Sequence, residues 1–264
     1  MNQEALLTAW LAEEQCAHIH GWDFSHIAGR YQEEDCLPWD YREIIRRYLM
    51  PDARVLDIDT GGGEFLLSLD HPPRLLAAME GYPPNAALCR ETLPPLGVDF
   101  RAGDGSDTRY PFEDQTFDLV LNRHGDFNPD EIRRILKPGG VFITQQVGAE
   151  NDRELVELLL DPIPALPFPE QYLHLVRERF EAAGFETLES QDAFGSIRFW
   201  DVGALVWFAR IIQWEFPGFH VQDCLPGLYR AQDRLERDGV IEGRTHRFLL
   251  AARTTGCQIA GRRV

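Results

Sequence analysis

The chain has 264 residues, 44% of them hydrophobic, which is enough apolar material for one elaborated domain with a full core. Its net charge of −17 disfavours nucleic acid as a partner, because a phosphate backbone would be repelled. We find no basic-then-apolar leader, no apolar run near the ~20 residues of a membrane span, and no Cys-x-x-Cys pair among the five cysteines. The composition therefore predicts a cytoplasmic protein with reduced thiols and no membrane partner.

Residues 1–50 predict a helical cap in front of the core. Apolar residues recur at helical spacing around Leu6–Leu11 and again around Ile44–Leu49. The loop between these helices reads HIHGWDFSHIAGRY and is rich in histidine and aromatic residues.

Zinc-ligand residue types occur in and beside this loop, namely Cys16, His18, His20, His26 and Cys36. Positions 16, 18 and 20 do not share a helical face, and the spacing matches no structural zinc pattern. We therefore predict no metal site.

From Arg54 onward, short apolar runs alternate with helical candidates. The predicted strands are RVLDID, RLLAAME, VDFRAGD, FDLVLN and GGVFITQQV, and the helical candidates include NAALCRETL and PDEIRRIL. Parallel strands need crossover connections, so this alternation predicts a parallel sheet covered by helices.

The sequence pattern in the second half of the chain predicts one more helix, two more strands and an insertion. The proline-rich stretch DPIPALPFPEQ precedes a helix around YLHLVRERFEAAGF, and a strand follows near Glu186–Asp192. HRFLLAAR predicts the last strand, and the tail GCQIAGRRV is expected to fray. We predict a single domain over 1–264, with a cap at 1–50, a core at 51–150 and a helical insertion or lid at 195–240.

A glycine turn follows the first strand of the core, in VLDIDTGGGEFLL. A strand, glycine turn and helix let the backbone approach a ligand and offer free N–H groups at the helix start. A plain tight turn is the alternative. The turn is not a dinucleotide fingerprint, since Leu66 stands where the third glycine would be, and no Gly-Lys-Ser/Thr follows to make a P-loop.

Two acids end the next two predicted strands. Glu80 lies 23 residues after Asp57, where a carboxylate can accept both hydroxyls of a ribose. Asp104, in AGDG, falls beside the same crevice and could accept from an adenine amino group. The order is thus glycine turn, ribose acid and adenine acid, each at the carboxyl end of successive strands.

Residues from about Arg54 to Gln146 resemble the core of class I S-adenosylmethionine-dependent methyltransferases. The resemblance is carried by VLDIDTGGGE, MEGYPPN, GDGSDTRYPFEDQTFDLVLN and EIRRILKPGGVFI. It implies a Rossmann-like, doubly wound α/β fold whose sheet has seven strands, mostly parallel, with an antiparallel last strand. The N-terminal helical extension and the insertion before the last strand would be additions to that fold.

The resemblance also implies S-adenosyl-L-methionine as the cofactor and assigns its contacts. Asp57, Gly61 and Gly63 would flank the methionine part, Glu80 with Gly81 the ribose, Asp104 with Gly105 the adenine, and Asn122 the edge near the substrate.

Asp59 departs from the family pattern, which usually has glycine at this position. Aspartate tolerates unusual backbone angles, so the turn can still form. Its carboxylate could accept from the ammonium of the methionine moiety or bind the turn's own N–H groups. Both interpretations leave the cofactor site in place.

Candidate substrate and catalytic residues come from the loops. His124, in NRHGD, is the candidate general base, with an ordinary loop histidine as the alternative. Arg30 could meet the methionine carboxylate, and Tyr31, Trp200 and Trp207 could line an apolar substrate chamber formed by the lid, although such aromatic residues are commonly core.

The leading function is methyl transfer to a small molecule by a cytoplasmic monomer or homodimer. An RNA methyltransferase and a non-catalytic regulatory protein that binds the cofactor are the alternatives. The −17 charge disfavours RNA.

Overall fold

The computed structural model describes residues 2–19, 23–34 and 36–255. Within these ranges the chain packs as two compact units, each assembled from three separate segments. Unit 1 comprises Met1–Leu37, Gly148–Pro169 and Ala193–Arg247, and unit 2 comprises Pro38–Val147, Glu170–Asp192 and Phe248–Val264. The single-domain organisation stays a prediction. The predicted frayed tail from Gly256 lies outside the described residues.

The described residues contain alternating helices and strands. The helices are α1 Gln3–Cys16, α2 Tyr41–Tyr48, α3 Glu64–Leu67, α4 Pro83–Thr92, α5 Pro129–Ile135, α6 Arg153–Leu159, α7 Leu173–Ala182, α8 Val202–Ile211 and α9 Leu225–Asp238. The strands are β1 Tyr31–Glu33, β2 Val55–Ile58, β3 Leu76–Glu80, β4 Asp99–Ala102, β5 Phe117–Arg123, β6 Leu136–Val147, β7 Phe185–Phe199 and β8 Ile241–Thr254.

The strands form one mostly parallel sheet in the order β1-β7-β8-β6-β5-β2-β3-β4. The pairs β4–β3, β3–β2, β2–β5 and β5–β6 are parallel, as the alternation of strands and helices predicts. β8 runs antiparallel to β6: the amide of Gly148 donates to the carbonyl of His246, while the Thr254 hydroxyl donates to the carbonyl of Lys137. The α/β fold class with an antiparallel last strand is confirmed.

The predicted number of seven strands is wrong by one, because the described residues form eight. The additional strand, β1, pairs antiparallel with the end of β7, with Tyr31 opposite Phe199. β1 has three residues and the polar sequence YQE, so neither an apolar run nor a clear alternation marks it in the sequence. The N-terminal extension is therefore two helices with a short edge strand between them.

Unit 2 places its core on the central strands. All four residues of β2 and all five of β3 are buried, as expected for strands covered on both faces. Helix α7 covers the sheet with an aromatic cluster, in which the rings of Phe142 and Phe180 stack 4.8 Å apart. The glycine turn is therefore attached to a rigid strand.

Unit 1 has a separate apolar core around α8. Every residue of α8 from Val202 to Ala209 is buried, and Asp201 caps the helix by accepting from the amide of Ala204. Helix α1 packs against α8 through residues that include Leu6 and Trp10. In the part of the chain that the structure describes, no helix has the length and apolar character to cross a membrane.

Candidate cofactor site

The glycine turn between β2 and α3 uses a left-handed backbone at three positions. Asp59, Gly61 and Gly63 have φ values of 54°, 64° and 85°. Inside the turn the hydroxyl of Thr60 donates to Oδ2 of Asp57 at 2.7 Å. Asp57 is 4% exposed, and burial raises the pKa of its carboxyl to about 6. The turn is thus closed by Asp57 of its own strand and by Thr60 of the turn itself, while Gly61 and Gly62 are partly exposed and Gly63 is buried.

Glu80 links the turn to the next strand. Its Oε2 accepts from the amide of Gly61 at 2.7 Å, and its Oε1 accepts from the amide of Tyr82 at 2.8 Å. A carboxylate oxygen has more than one acceptor position, so Glu80 can hold these amides and still accept from a ligand hydroxyl. At 4% exposure its orientation is fixed by these bonds.

Asp104 follows the end of β4, next to the strand that ends at Glu80. Its Oδ1 accepts from both the amide and the hydroxyl of Ser106. A Cβ on Gly81 would come within 2.9 Å of Oδ2 of Asp104, so glycine is required where β3 ends. Gly105 is equally constrained, since a Cβ there would lie 1.9 Å from the carbonyl oxygen of Asp126.

Asp59 brings a further carboxylate into this crevice. Its Oδ1 accepts from the amide of Gly105 at 3.3 Å, and its side chain fills the space that a Cβ on Gly125 would take. Burial, followed by the neighbouring carboxylate of Asp104, raises the pKa of Asp59 to about 7. The hydrogen bond from Gly105 comes from the loop after β4, whereas the second interpretation given above expects the carboxylate to bind N–H groups of its own turn. A contact with a ligand ammonium stays a prediction.

Asn122 lies at the end of β5 and is fully buried. Its Nδ2 donates to the carbonyls of Ile58 and Asp126 at 3.2 Å each, while its Oδ1 accepts from Thr144 and Gln146. Two donors and two acceptor positions are all that an asparagine amide offers. Asn122 therefore holds β2, β5 and β6 together, and its predicted contact with the cofactor would need one of these bonds to open.

Replacing Asn122 with alanine is expected to lower the free energy of unfolding by about 2–4 kcal/mol, because the buried partners lose their bonds. Urea denaturation followed by circular dichroism measures this change. Asn85→Ala on α4 is the control, with an expected change within about 0.5 kcal/mol. A loss for Asn122→Ala no larger than that of the control would contradict the role assigned to this network.

His124 follows the same strand end and is exposed. Its φ is 61°, and its Nε2 lies 3.4 Å from Nε2 of Gln145. The indole of Trp39 can only donate, and it donates to Oε1 of Gln145 at 2.9 Å. The amide of Gln145 therefore points its N–H toward His124, so Nε2 of the imidazole is the acceptor in this contact. His124 is exposed and its Nε2 carries no proton in this arrangement, so the imidazole can take a proton once the weak contact with Gln145 opens.

An open groove of about 840 Å³ in unit 2 borders these loops. Its walls include Ser106 and Asp126 on one side and Gln171 and Arg179 on the other. Oε1 of Gln171 is buried there without a hydrogen-bond partner among the described residues. Because Ser106 is bonded to Asp104, a ligand in the groove would lie next to the predicted adenine acid.

Four predicted site residues belong to unit 1. Arg30 donates to Glu13 at 2.7 Å and to Asp201 at 3.4 Å, so its guanidinium already has carboxylate partners. Tyr31 donates its hydroxyl to Glu33 and packs on Phe199, Trp207 is 1% exposed, and Trp200 is 41% exposed. Trp200 alone among these three aromatic residues offers a large open surface. Cofactor binding by Arg30 and substrate binding by the aromatic residues stay predictions.

Sequence reasoning missed the residues that support the site. Tyr41 donates its hydroxyl to the carbonyls of Asn122 and Ile143, and Thr144 and Gln146 complete the network around Asn122. The TQQ of GGVFITQQV is a usable signal, because three polar residues in a row at the end of a buried strand must find buried partners.

The residues of unit 2 fit an adenosine group at this crevice. Glu80 and Asp104 present carboxylates suited to ribose hydroxyls and an adenine amino group, and Gly81 and Gly105 stand where side chains would collide with the site's own walls. The turn offers partly exposed backbone at Gly61 and Gly62. The acceptor set thus matches the adenosine half of S-adenosylmethionine, and a contact of Asp59 with the methionine part stays a prediction.

Comparison with known proteins gives the same assignment for this region. A family model described as a methyltransferase domain matches residues 56–144. A protein of Mycobacterium ulcerans, described as a probable phthiotriol/phenolphthiotriol dimycocerosates methyltransferase, is 35% identical over 98 residues. That match covers 34% of this chain and 37% of the relative, so the chain aligns with little more than a third of the relative's length.

Solved structures extend the similarity in fold to most of the chain. A protein of Deinococcus radiodurans described as functionally unknown has a TM-score of 0.56 and 18% identity, covering 92% of this chain and 97% of its own. A candidate methyltransferase of Bacillus halodurans has a TM-score of 0.54 and 19% identity, covering 82% of this chain and 99% of its own. At these identities the match concerns the fold.

Proposed function

We propose that this chain, whose residues 56–144 match a methyltransferase domain, is a class I, S-adenosylmethionine-dependent enzyme that transfers the methyl group of this cofactor to a small molecule. The observation that carries the proposal is the convergence of the glycine turn with Glu80 and Asp104 at the strand ends of unit 2. Glu80 would hold the ribose and Asp104 the adenine.

When bound, the cofactor supplies a methyl group already activated by its sulfonium. The protein's part is then to position the acceptor and exclude water. His124 is the residue placed to remove a proton, since it is exposed and its Nε2 accepts only a weak contact from Gln145. A hydroxyl or another weakly acidic group on the acceptor would need such a base.

Asp59 supports one alternative, a protein that binds the cofactor and transfers nothing. Its carboxylate lies inside the crevice, bonded to Gly105, where the family usually has no side chain. RNA methylation has no comparable support, and the net charge of −17 opposes it. Methyl transfer to a small molecule is the best-supported hypothesis.

A panel of small-molecule acceptors, incubated with methyl-labelled cofactor, tests the proposal through labelled product and release of S-adenosylhomocysteine. We expect turnover with at least one acceptor, and we expect His124→Gln to lower kcat by about 10²-fold or more because general base catalysis is lost. The dissociation constant of the cofactor should stay within about twofold, because His124 lies outside the predicted cofactor contacts.

Two results would contradict parts of this proposal. Cofactor binding without turnover across the panel would favour the non-catalytic alternative. Full kcat in His124→Gln with an acceptor that must lose a proton would remove His124 from the chemistry and leave methyl transfer itself standing.

A further inference from the structure

The end of α1 and the turn at Ser25–Ile27 bring three metal-ligand residues together in unit 1. Glu13 and Cys16 are three residues apart on α1 and share one face of the helix. Nε2 of His26 lies 2.7 Å from Oε2 of Glu13 and 3.6 Å from Sγ of Cys16, and Sγ of Cys16 lies 3.8 Å from the same carboxylate oxygen. One oxygen, one nitrogen and one sulfur therefore face a common point.

These separations are close to those around a tetrahedral zinc ion. With Zn–S bonds of about 2.3 Å and Zn–N or Zn–O bonds of about 2.0–2.1 Å, the ligand atoms lie about 3.5 Å apart along the sulfur edges and about 3.3 Å apart along the nitrogen–oxygen edge. The distances from Sγ of Cys16 to Nε2 of His26 and to Oε2 of Glu13 already have this length within a few tenths of an ångström. The His26–Glu13 edge is shorter because the two groups are hydrogen-bonded, and it must open by about 0.6 Å.

Neighbouring residues hold the three side chains in place. The second carboxylate oxygen of Glu13 accepts from Arg30 at 2.7 Å, and Arg30 also donates to the carbonyl of His26 at 3.2 Å. The imidazole of His26 stacks on the buried ring of Trp207, with centroids 5.3 Å apart. Such outer contacts fix the orientation of metal ligands and strengthen binding.

The site is open on one side. The side chain of His26 is 41% exposed and that of Glu13 is 19% exposed, so a metal ion and a water molecule as fourth ligand can enter. The charges that face the site are those of Glu13, Arg30 and Asp201, together with the titratable groups of Cys16 and His26.

We propose that Glu13, Cys16 and His26 form a zinc site with three protein ligands and one open position. Binding breaks the S–H bond of Cys16, forms a Zn–S bond and releases one proton to solvent. The bound ion would connect α1 to residues 25–27.

The prediction of no metal rests on sequence spacing, and its residue set shares Cys16 and His26 with this cluster. Nδ1 of His18 lies 2.9 Å from the carbonyl oxygen of Cys16, outside the three-residue cluster, and His20 lies outside the described residues. Glu13, which was not considered, supplies the third ligand. The cluster lies in unit 1, and its test is independent of methyl transfer.

Cobalt(II) titration of the full chain under reducing conditions tests the proposal, because a thiolate ligand gives a near-ultraviolet charge-transfer band and tetrahedral cobalt gives intense visible bands. We expect one equivalent to produce both signals and zinc to displace them. Competition with a chromophoric chelator then gives the zinc affinity, which should fall at least about 10-fold in Cys16→Ser and in His26→Gln.

Cys36→Ser is the matched thiol control, since Cys36 is exposed and outside the cluster, and it should bind zinc as the wild type does. Circular dichroism checks that each variant is folded, and Glu13→Gln gives a second test through the carboxylate. Absence of a thiolate band, or equal zinc affinity in folded Cys16→Ser and wild type, would overturn the proposal. Cofactor binding should be unchanged in Cys16→Ser, which separates this result from the proposed function.

Discussion

Glu80→Ala is expected to weaken binding of S-adenosylmethionine by at least about 100-fold. Each hydrogen bond to a charged acceptor contributes about 1.5–3 kcal/mol, and the carboxylate is expected to take both ribose hydroxyls. The substitution also removes the acceptor that holds the amides of Gly61 and Tyr82. Isothermal titration calorimetry of wild type and variant at one pH measures the loss.

Two further variants sharpen this test. Glu80→Gln keeps an acceptor oxygen, so its affinity should fall between those of the wild type and Glu80→Ala. Glu91→Ala removes an exposed carboxylate on α4 and should bind as the wild type does. If folded Glu80→Ala bound within threefold of the wild type, the ribose assignment would be wrong.

The affinity for S-adenosylmethionine is expected to rise as the pH is raised from 6 to 8, with Asp59 as the main cause. Burial and Asp104 raise the pKa of Asp59 to about 7, so the group is neutral at pH 6 and charged at pH 8. A carboxylate stabilises a bound cation, and the bound cation in turn lowers the pKa of the carboxylate. Binding therefore releases a proton near pH 7. If cofactor binding lowers the pKa of Asp59 by one unit, the affinity rises by up to about tenfold over this pH range.

Calorimetry across this pH range with Asp59→Asn separates the effect from other groups. The variant should lose most of the rise, while Asp57, whose pKa is raised to about 6, remains in both proteins as a background. S-adenosylhomocysteine keeps the amino group that Asp59 is predicted to meet, so its affinity should also rise over this pH range. An equal change of cofactor affinity with pH in wild type and Asp59→Asn would rule out the role given to Asp59.

The sequence predicted the core of the fold because its signals are local. Apolar runs mark β2, β3 and β5, and the residues that follow them, such as Glu80 and Asp104, fall at one edge once the connections are parallel. Asp59 is marked as unusual by the family resemblance, and its left-handed backbone agrees with the expectation that aspartate tolerates the turn.

Contacts between distant segments could not be predicted in this way. Nothing local in YQE indicates that β1 pairs with β7, and nothing near Arg30 indicates that Glu13 and Asp201 neutralise it. The same limit applies to the Glu13, Cys16 and His26 cluster, because His26 lies beside α1 only in the folded chain. Such contacts depend on the tertiary path of the chain.

Burial of aromatic residues was equally hard to predict from the sequence. Trp200 and Trp207 stand seven residues apart in one apolar stretch, yet Trp200 is 41% exposed and Trp207 is 1% exposed. The difference arises because Trp207 lies inside α8, which is buried on all sides, whereas Trp200 precedes the helix. An apolar stretch that is uniformly hydrophobic carries no periodicity to tell its faces apart.

Calorimetric titration of S-adenosylmethionine into the wild-type chain tests whether the crevice of unit 2 binds this cofactor. We predict one saturable site per chain with a dissociation constant in roughly the micromolar range, which corresponds to about −8 kcal/mol. Absence of saturable binding by a folded chain, for both S-adenosylmethionine and S-adenosylhomocysteine at millimolar concentration, would contradict it.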